Sequence, residues 1–163
     1  MHNNRCGDID PYIIFYLVES CGMTLEEVKQ MLQTRSGLYG MSGGAGRDLR
    51  DVQAAAEAGN EDAELAIRAY CYSIKKYIGA YAAALNGVDA IVFTAGVGEN
   101  DKGMRERILN GLDYLGVEVD FELNRNCPRG ENVEISKPGS KVKVFVIPTD
   151  EELMIAKDLS LIH

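Results

Sequence analysis

Residues 92–100 read Val-Phe-Thr-Ala-Gly-Val-Gly-Glu-Asn, VFTAGVGEN. An apolar run leaves through two glycines one residue apart, then turns polar before a helical pattern resumes at residue 102. The run feeding it, AIVFT at 90–94, is short and rich in β-branched and aromatic residues, which predicts a buried strand. A strand that ends in glycines and feeds a helix lets a ligand approach main-chain amides where the helix dipole favours negative charge. A nucleotide suits such a place, and a tight strand-to-helix turn suits it equally. The spacing is an incomplete GxGxxG and no P-loop lysine follows, so neither a dinucleotide fold nor a P-loop is implied.

Working outward, helix and strand signals alternate. YIIFYLVES after Asp10-Pro11 predicts a helix opened by proline and stopped near Gly22. Thr24 and Glu27 form a capping box that predicts a helix over 25–35. The glycines between 37 and 46 predict a loop that neither helix nor strand holds. Helices are expected over 48–58, stopped by Gly59, and over 62–85, closed by Asn86-Gly87. Beyond the 90–94 strand, a helix is expected over 102–114, strands at 133–135 and 141–147 joined through Pro138-Gly139, and a last helix over 151–161. These elements sum to a mixed α/β domain with a small central sheet. Nearly all strand signal lies after residue 89, which makes the sheet thin and its edge open to a further partner.

The chain has 163 residues, a length that points to one domain with a proper core. With 46% hydrophobic and 26% charged residues the composition is globular. A formal charge of -8 argues against nucleic acid or an anionic membrane as partner, since both require clustered basic side chains. Arg105-Glu106-Arg107 reads as a solvated helix face. Cys6, Cys21, Cys71 and Cys127 lack zinc-type spacing, so four free thiols in a reducing cytoplasm are expected. No apolar run approaches the length of a membrane span, and no signal peptide is expected at the start.

Three further stretches carry chemistry. In SGGAGRDLRD, at 42–51, backbone amides and hydroxyls are followed by a charged helix start, which fits a purine or ribose and also fits a plain connector. In IPTDEEL, at 147–153, Thr149 and Glu152 predict a capping box. That leaves Glu151 at the end of a strand, either complementing the helix dipole or helping to hold Mg²⁺. Arg5, in NRCGD, can fork onto a phosphoryl group, although taken by itself it reads as a plain exposed terminal residue.

Taken in order, RCGDIDP (5–11), GMSGGAGRDLRD (40–51), DAIVFTAGVGENDKGMRERIL (89–109) and KVKVFVIPTDEELMIAKD (141–158) resemble the C-terminal half of the acetate kinase family, within the acetate and sugar kinase, heat-shock cognate and actin superfamily. The resemblance covers nearly the whole chain. It implies an α/β fold over residues 1–163, the C-terminal ribonuclease H-like domain of that superfamily, with a small sheet flanked by helices. It also implies Mg²⁺-dependent reversible phosphoryl transfer between ATP and acetate, giving ADP and acetyl phosphate.

On that resemblance Arg5 matches the arginine that stabilises the transferring phosphoryl group, and Glu151 the glutamate associated with magnesium. Asp48, Leu49 and Arg50 fall on the adenosine pocket, and Gly96, Val97, Gly98, Glu99 and Asn100 on the loop that closes over ATP or ADP. A cytoplasmic homodimer is implied, for which the helix bearing Tyr70, Tyr72, Tyr77 and Tyr81 offers a surface; burial against its own domain is the alternative. The family's N-terminal half, with its Asn and Ser motif, histidine, second arginine and aspartate, has no counterpart here, which implies that the isolated chain has little or no kinase activity by itself. Propionate or butyrate kinase is an alternative of the same class. A non-catalytic nucleotide-binding or dimerisation module is the alternative of a different class.

Overall fold

A computed structural model describes residues 2–160, apart from the side chain of Glu151. The chain divides into two compact units, Met1–Lys76 and Tyr77–His163, with one long helix running across the boundary.

In the first unit, α1 (Tyr12–Glu19) opens at Pro11 and α2 (Leu25–Thr34) opens with the expected reciprocal capping box of Thr24 and Glu27. The glycine-rich stretch departs from expectation, because Gly37–Met41 forms a short helix, α3. The reason lies at the start of the chain. Ser36, Leu38 and Tyr39 donate their backbone N–H groups to the carbonyls of Asn4, His2 and Asn3, at 3.0, 2.9 and 2.8 Å. Those are the amides a helix start leaves without partners. Leu38 is 1% exposed and anchors the turn, so tertiary contacts override poor local propensity.

Gly37 has φ +60°, and a Cβ there would strike the carbonyl oxygens of His2 and Arg5. Then α4 (Leu49–Glu57) starts at Asp48 and is followed by Gly59 at φ +92°. The long helix α5 (Glu61–Ala84) ends as expected, with Asn86 at φ 57° and the Gly87 N–H bonded back to the Ala82 carbonyl at 2.8 Å. Ala63, Ala66, Ile67 and Cys71 are its buried positions before the boundary. Its Tyr72, Tyr77 and Tyr81 are exposed.

The second unit holds a three-stranded mixed sheet of order β1-β3-β2, from β1 (Ala90–Phe93), β2 (Val133–Glu134) and β3 (Lys143–Val146). β1 and β3 run parallel with Ala90 opposite Lys143 and Phe93 opposite Val146, while β2 pairs antiparallel with β3. The α/β class expected from sequence is present. β1 is buried on one face only: Ile91 and Phe93 point inward, whereas Val92 is 50% exposed. An unbroken apolar run concealed that alternation.

Between β1 and β2 lie α6 (Ala95–Asn100), α7 (Lys102–Leu109), a 3₁₀ turn (Asp113–Leu115) and α8 (Phe121–Arg125). The helix expected to reach residue 114 stops at Leu109, because Asn110 is extended and Gly111 takes φ 82°. The unexpected α8 is a single turn capped by Asp120, whose side chain accepts the Leu123 N–H at 2.9 Å. After β3 comes α9 (Glu151–Ser160); its expected extension to Leu161 lies outside the described residues.

Candidate functional site

Parallel pairing sets the carboxyl ends of β1 and β3 side by side, with the Ile147 N–H donating to the Phe93 carbonyl at 2.9 Å. In open α/β sheets, ligand crevices lie outside such strand ends. Two stretches singled out in the sequence leave from there and meet. Glu99 Oε1 accepts the Thr149 N–H at 2.8 Å and the Thr149 hydroxyl at 3.0 Å. The Thr149 N–H foremost, and then the Thr149 hydroxyl, hold the Glu99 carboxyl below the usual glutamate range. The anticipated capping box of Thr149 and Glu152 is therefore replaced. Thr149 is committed to Glu99, and Asp150 caps α9 by accepting the Leu153 N–H at 2.9 Å.

The two glycines of VFTAGVGEN play different parts, neither of them the bend itself. The chain turns at Ala95, a non-glycine residue at φ 57°, after an extended Thr94. Gly96 and Gly98 then lie within the short helix α6. A Cβ on Gly98 would come within 3.2 Å of the Phe93 carbonyl carbon, so a side chain here crowds the strand beneath it. A Cβ on Gly96 would meet nothing within 4 Å. The fold does not require glycine at that position. Val97 is half-buried, and the exposed Asn100 donates its side-chain amide to the Gly96 carbonyl at 3.0 Å.

Arg105 overturns the solvated-face reading, being 2% exposed. Its Nη1 donates to the carbonyls of Gly98 (2.9 Å) and Glu99 (2.8 Å), its Nε to Asn124 Oδ1 (2.7 Å), and its Nη2 to the Asn124 carbonyl (3.2 Å). Burial lowers the pKa of the guanidinium from its ordinary value. Asn124, 0% exposed, donates its own amide to the Lys102 carbonyl at 3.0 Å. A signal was present in the sequence: Arg105 stands three and four residues before Ile108 and Leu109, on the apolar stripe of α7.

Of the remaining candidates, Glu151 opens α9 with its side chain outside the described residues, and the others belong to the first unit. Arg5 is exposed, with its Nη2 3.4 Å from His2 Nε2, and its backbone carbonyl lies against Gly37. Asp48 caps α4 and accepts from the Arg50 N–H (2.9 Å), Nε (3.0 Å) and Nη2 (3.1 Å); the Arg50 side chain foremost lowers the Asp48 pKa to about 2. Leu49 is 5% exposed, its side chain in the core rather than at the surface. Arg47 stacks over the Tyr39 ring at 5.4 Å. Among the described residues no group of three or more His, Cys, Asp or Glu side chains stands as a metal cage, and no helix is long and apolar enough to cross a membrane.

Residues 1–157 match the model of the acetokinase family. The chain belongs to that family. It is 55% identical over 154 residues to the acetate kinase of Clostridium botulinum strain Hall, a match that covers 94% of this chain and 38% of that enzyme. It is similar to the crystal structure of Porphyromonas gingivalis acetate kinase, with a TM-score of 0.90 and 44% identity over 100% of this chain and 41% of that one. A propionate kinase from Francisella tularensis is also similar, with a TM-score of 0.84 and 35% identity over 95% of this chain and 38% of that one. This acetokinase chain thus spans about two fifths of the length of the kinases it matches.

Proposed function

We propose that the chain is the C-terminal, nucleotide-binding part of an acetate kinase, and that the whole protein catalyses reversible phosphoryl transfer between ATP and acetate. The single observation that carries this reading is the match of residues 1–157 to the acetokinase family, at 55% identity to an acetate kinase. In that reaction the bond from the γ-phosphorus to the β,γ-bridging oxygen of ATP breaks. A bond from phosphorus to a carboxylate oxygen of acetate forms, and ADP leaves. Such transfer relies on in-line placement and on cations that meet charge developing on the equatorial oxygens.

Arg5 supplies one such cation, permanently charged and able to fork onto phosphoryl oxygens. Asp48, Leu49 and Arg50 line the adenosine side, Leu49 through its backbone because its side chain is buried. Gly96, Val97, Gly98, Glu99 and Asn100 close over the nucleotide, and the open space above Gly96 leaves room for a ligand to approach the backbone. Mg²⁺ commonly takes only one or two carboxylates and completes its shell with phosphate oxygens and water. On the resemblance to acetate kinases, Glu151 would hold it. When bound, the ion neutralises phosphate charge. By itself the chain binds nucleotide weakly and turns over little, because half a cleft neither orients acetate nor excludes water.

The protein is cytoplasmic and homodimeric on this reading, and the exposed Tyr72, Tyr77 and Tyr81 of α5 offer a self-association surface. Propionate as acceptor is the second reading, favoured by the likeness to the Francisella enzyme. Calorimetric titration of the 163-residue chain with MgADP, beside a coupled assay with ATP and acetate or propionate, tests the proposal. Saturable binding with negligible turnover is expected. No binding, or turnover matching that of an intact kinase, refutes it.

A further inference from the structure

We propose that Arg105 is a positioning residue for the segment 96–100, and that its guanidinium sets how tightly that segment holds a nucleotide without touching the nucleotide itself. The affinity part rests on the proposed nucleotide reading; the hold on the backbone does not. Arg105 is 2% exposed, and its hydrogen bonds run inward to Gly98, Glu99 and Asn124.

The need for it arises at Asp101, where φ −108° and ψ 88° break the path from α6 to α7. In an unbroken helix the carbonyls of Gly98 and Glu99 would accept amides four residues on. Here both accept one guanidinium nitrogen, at 2.9 and 2.8 Å. A helix of six residues is marginal by itself. A charged donor bonding its last carbonyls is a strong external brace.

The brace continues outward. Glu99, held by its carbonyl, extends its carboxylate to the N–H and hydroxyl of Thr149. One buried cation is thereby linked, through a single residue, to both stretches that leave the strand ends. Packing alone does not account for it. An apolar side chain beside Ile108 and Leu109 would fill the same stripe without the cost of desolvating a charge. Lysine is a poor substitute, since a point charge lacks the planar fork that reaches three carbonyls and an amide oxygen together.

The test uses the 163-residue chain with Arg105→Lys and Arg105→Met, each first checked for folding by circular dichroism. Hydrogen exchange without ligand should quicken at least tenfold at residues 96–101 while the β1 and β3 amides keep their protection. The Glu99 carboxyl, followed by carbon NMR, should titrate at a higher pH in the variants than in the parent. MgADP should bind at least tenfold more weakly. Folded variants with parental exchange, parental Glu99 titration and parental affinity overturn the proposal. Altered exchange with unchanged affinity overturns its nucleotide part. A parent chain that binds no MgADP defeats the nucleotide reading itself, and exchange and titration then decide the brace alone. If Arg105→Met does not fold, Arg105→Lys decides.

Discussion

Replacing Gly96 and Gly98 separately by alanine should give opposite effects on stability. Gly96 lies inside α6, is absent from the positive-φ positions, and has open space where a Cβ would go. Alanine there removes backbone freedom from the unfolded chain and fits the helix, which stabilises by about 0.5–1 kcal/mol. For a chain of this length that raises the melting temperature by about 1–4 °C. At Gly98 the added carbon comes within 3.2 Å of the Phe93 carbonyl carbon and 3.5 Å of its Cα and Cβ. Phe93 cannot readily withdraw, since its ring is buried and its carbonyl is bonded to the Ile147 N–H. Overpacking against that fixed strand end should cost about 1–2 kcal/mol.

Binding separates the pair a second way. If a nucleotide fills the space above Gly96, the new methyl group excludes it, and MgADP affinity falls about tenfold, or ~1.4 kcal/mol, in a protein made more stable. Urea denaturation and calorimetric titration of the same samples read both quantities. A Gly96→Ala protein that is stabilised and binds MgADP like the parent would show that nothing approaches the backbone there. A Gly96→Ala protein that is destabilised would show that the open space is not open.

Three further outcomes are expected. Gly37→Ala forces a side chain at φ +60° into the carbonyls of His2 and Arg5, and should destabilise by about 2 kcal/mol or more in a denaturant melt while releasing the segment that carries Arg5. Asn124→Ala leaves the buried Arg105 without its Nε partner and should cost about 2–4 kcal/mol, read the same way. The third concerns acid. The folded Glu99 pKa lies below its ordinary value of 4.5, so the contribution of its tie to Thr149 is fully present above pH 4.5 and is lost as the pH falls through the folded value. Glu99→Gln should therefore lower the melting temperature at neutral pH, and the gap from the parent should close in acid; a gap independent of pH would refute the assignment.

Legibility in the sequence followed how local each determinant is. The Thr24 and Glu27 capping box and the Asn86-Gly87 stop are settled within a few residues, and both formed as expected. α3 was not legible, because its first amides are satisfied by carbonyls more than thirty residues earlier in the chain. The 92–100 stretch was legible as a site and misread in its mechanics. Its bend belongs to Ala95, and one glycine of the pair is explained by packing on Phe93.

The Arg105 misreading has the most consequence for function. Charge marked it as solvent-facing, whereas its place on the apolar stripe of α7 marked it as buried, and the position on the stripe prevailed. A cation accepts burial only where enough oxygen atoms receive it. The carbonyls left over where α6 breaks at Asp101, together with Asn124, are those oxygens. The break in the helix and the buried arginine thus require one another. Removing either should loosen the same six residues, whichever side of the pair is mutated.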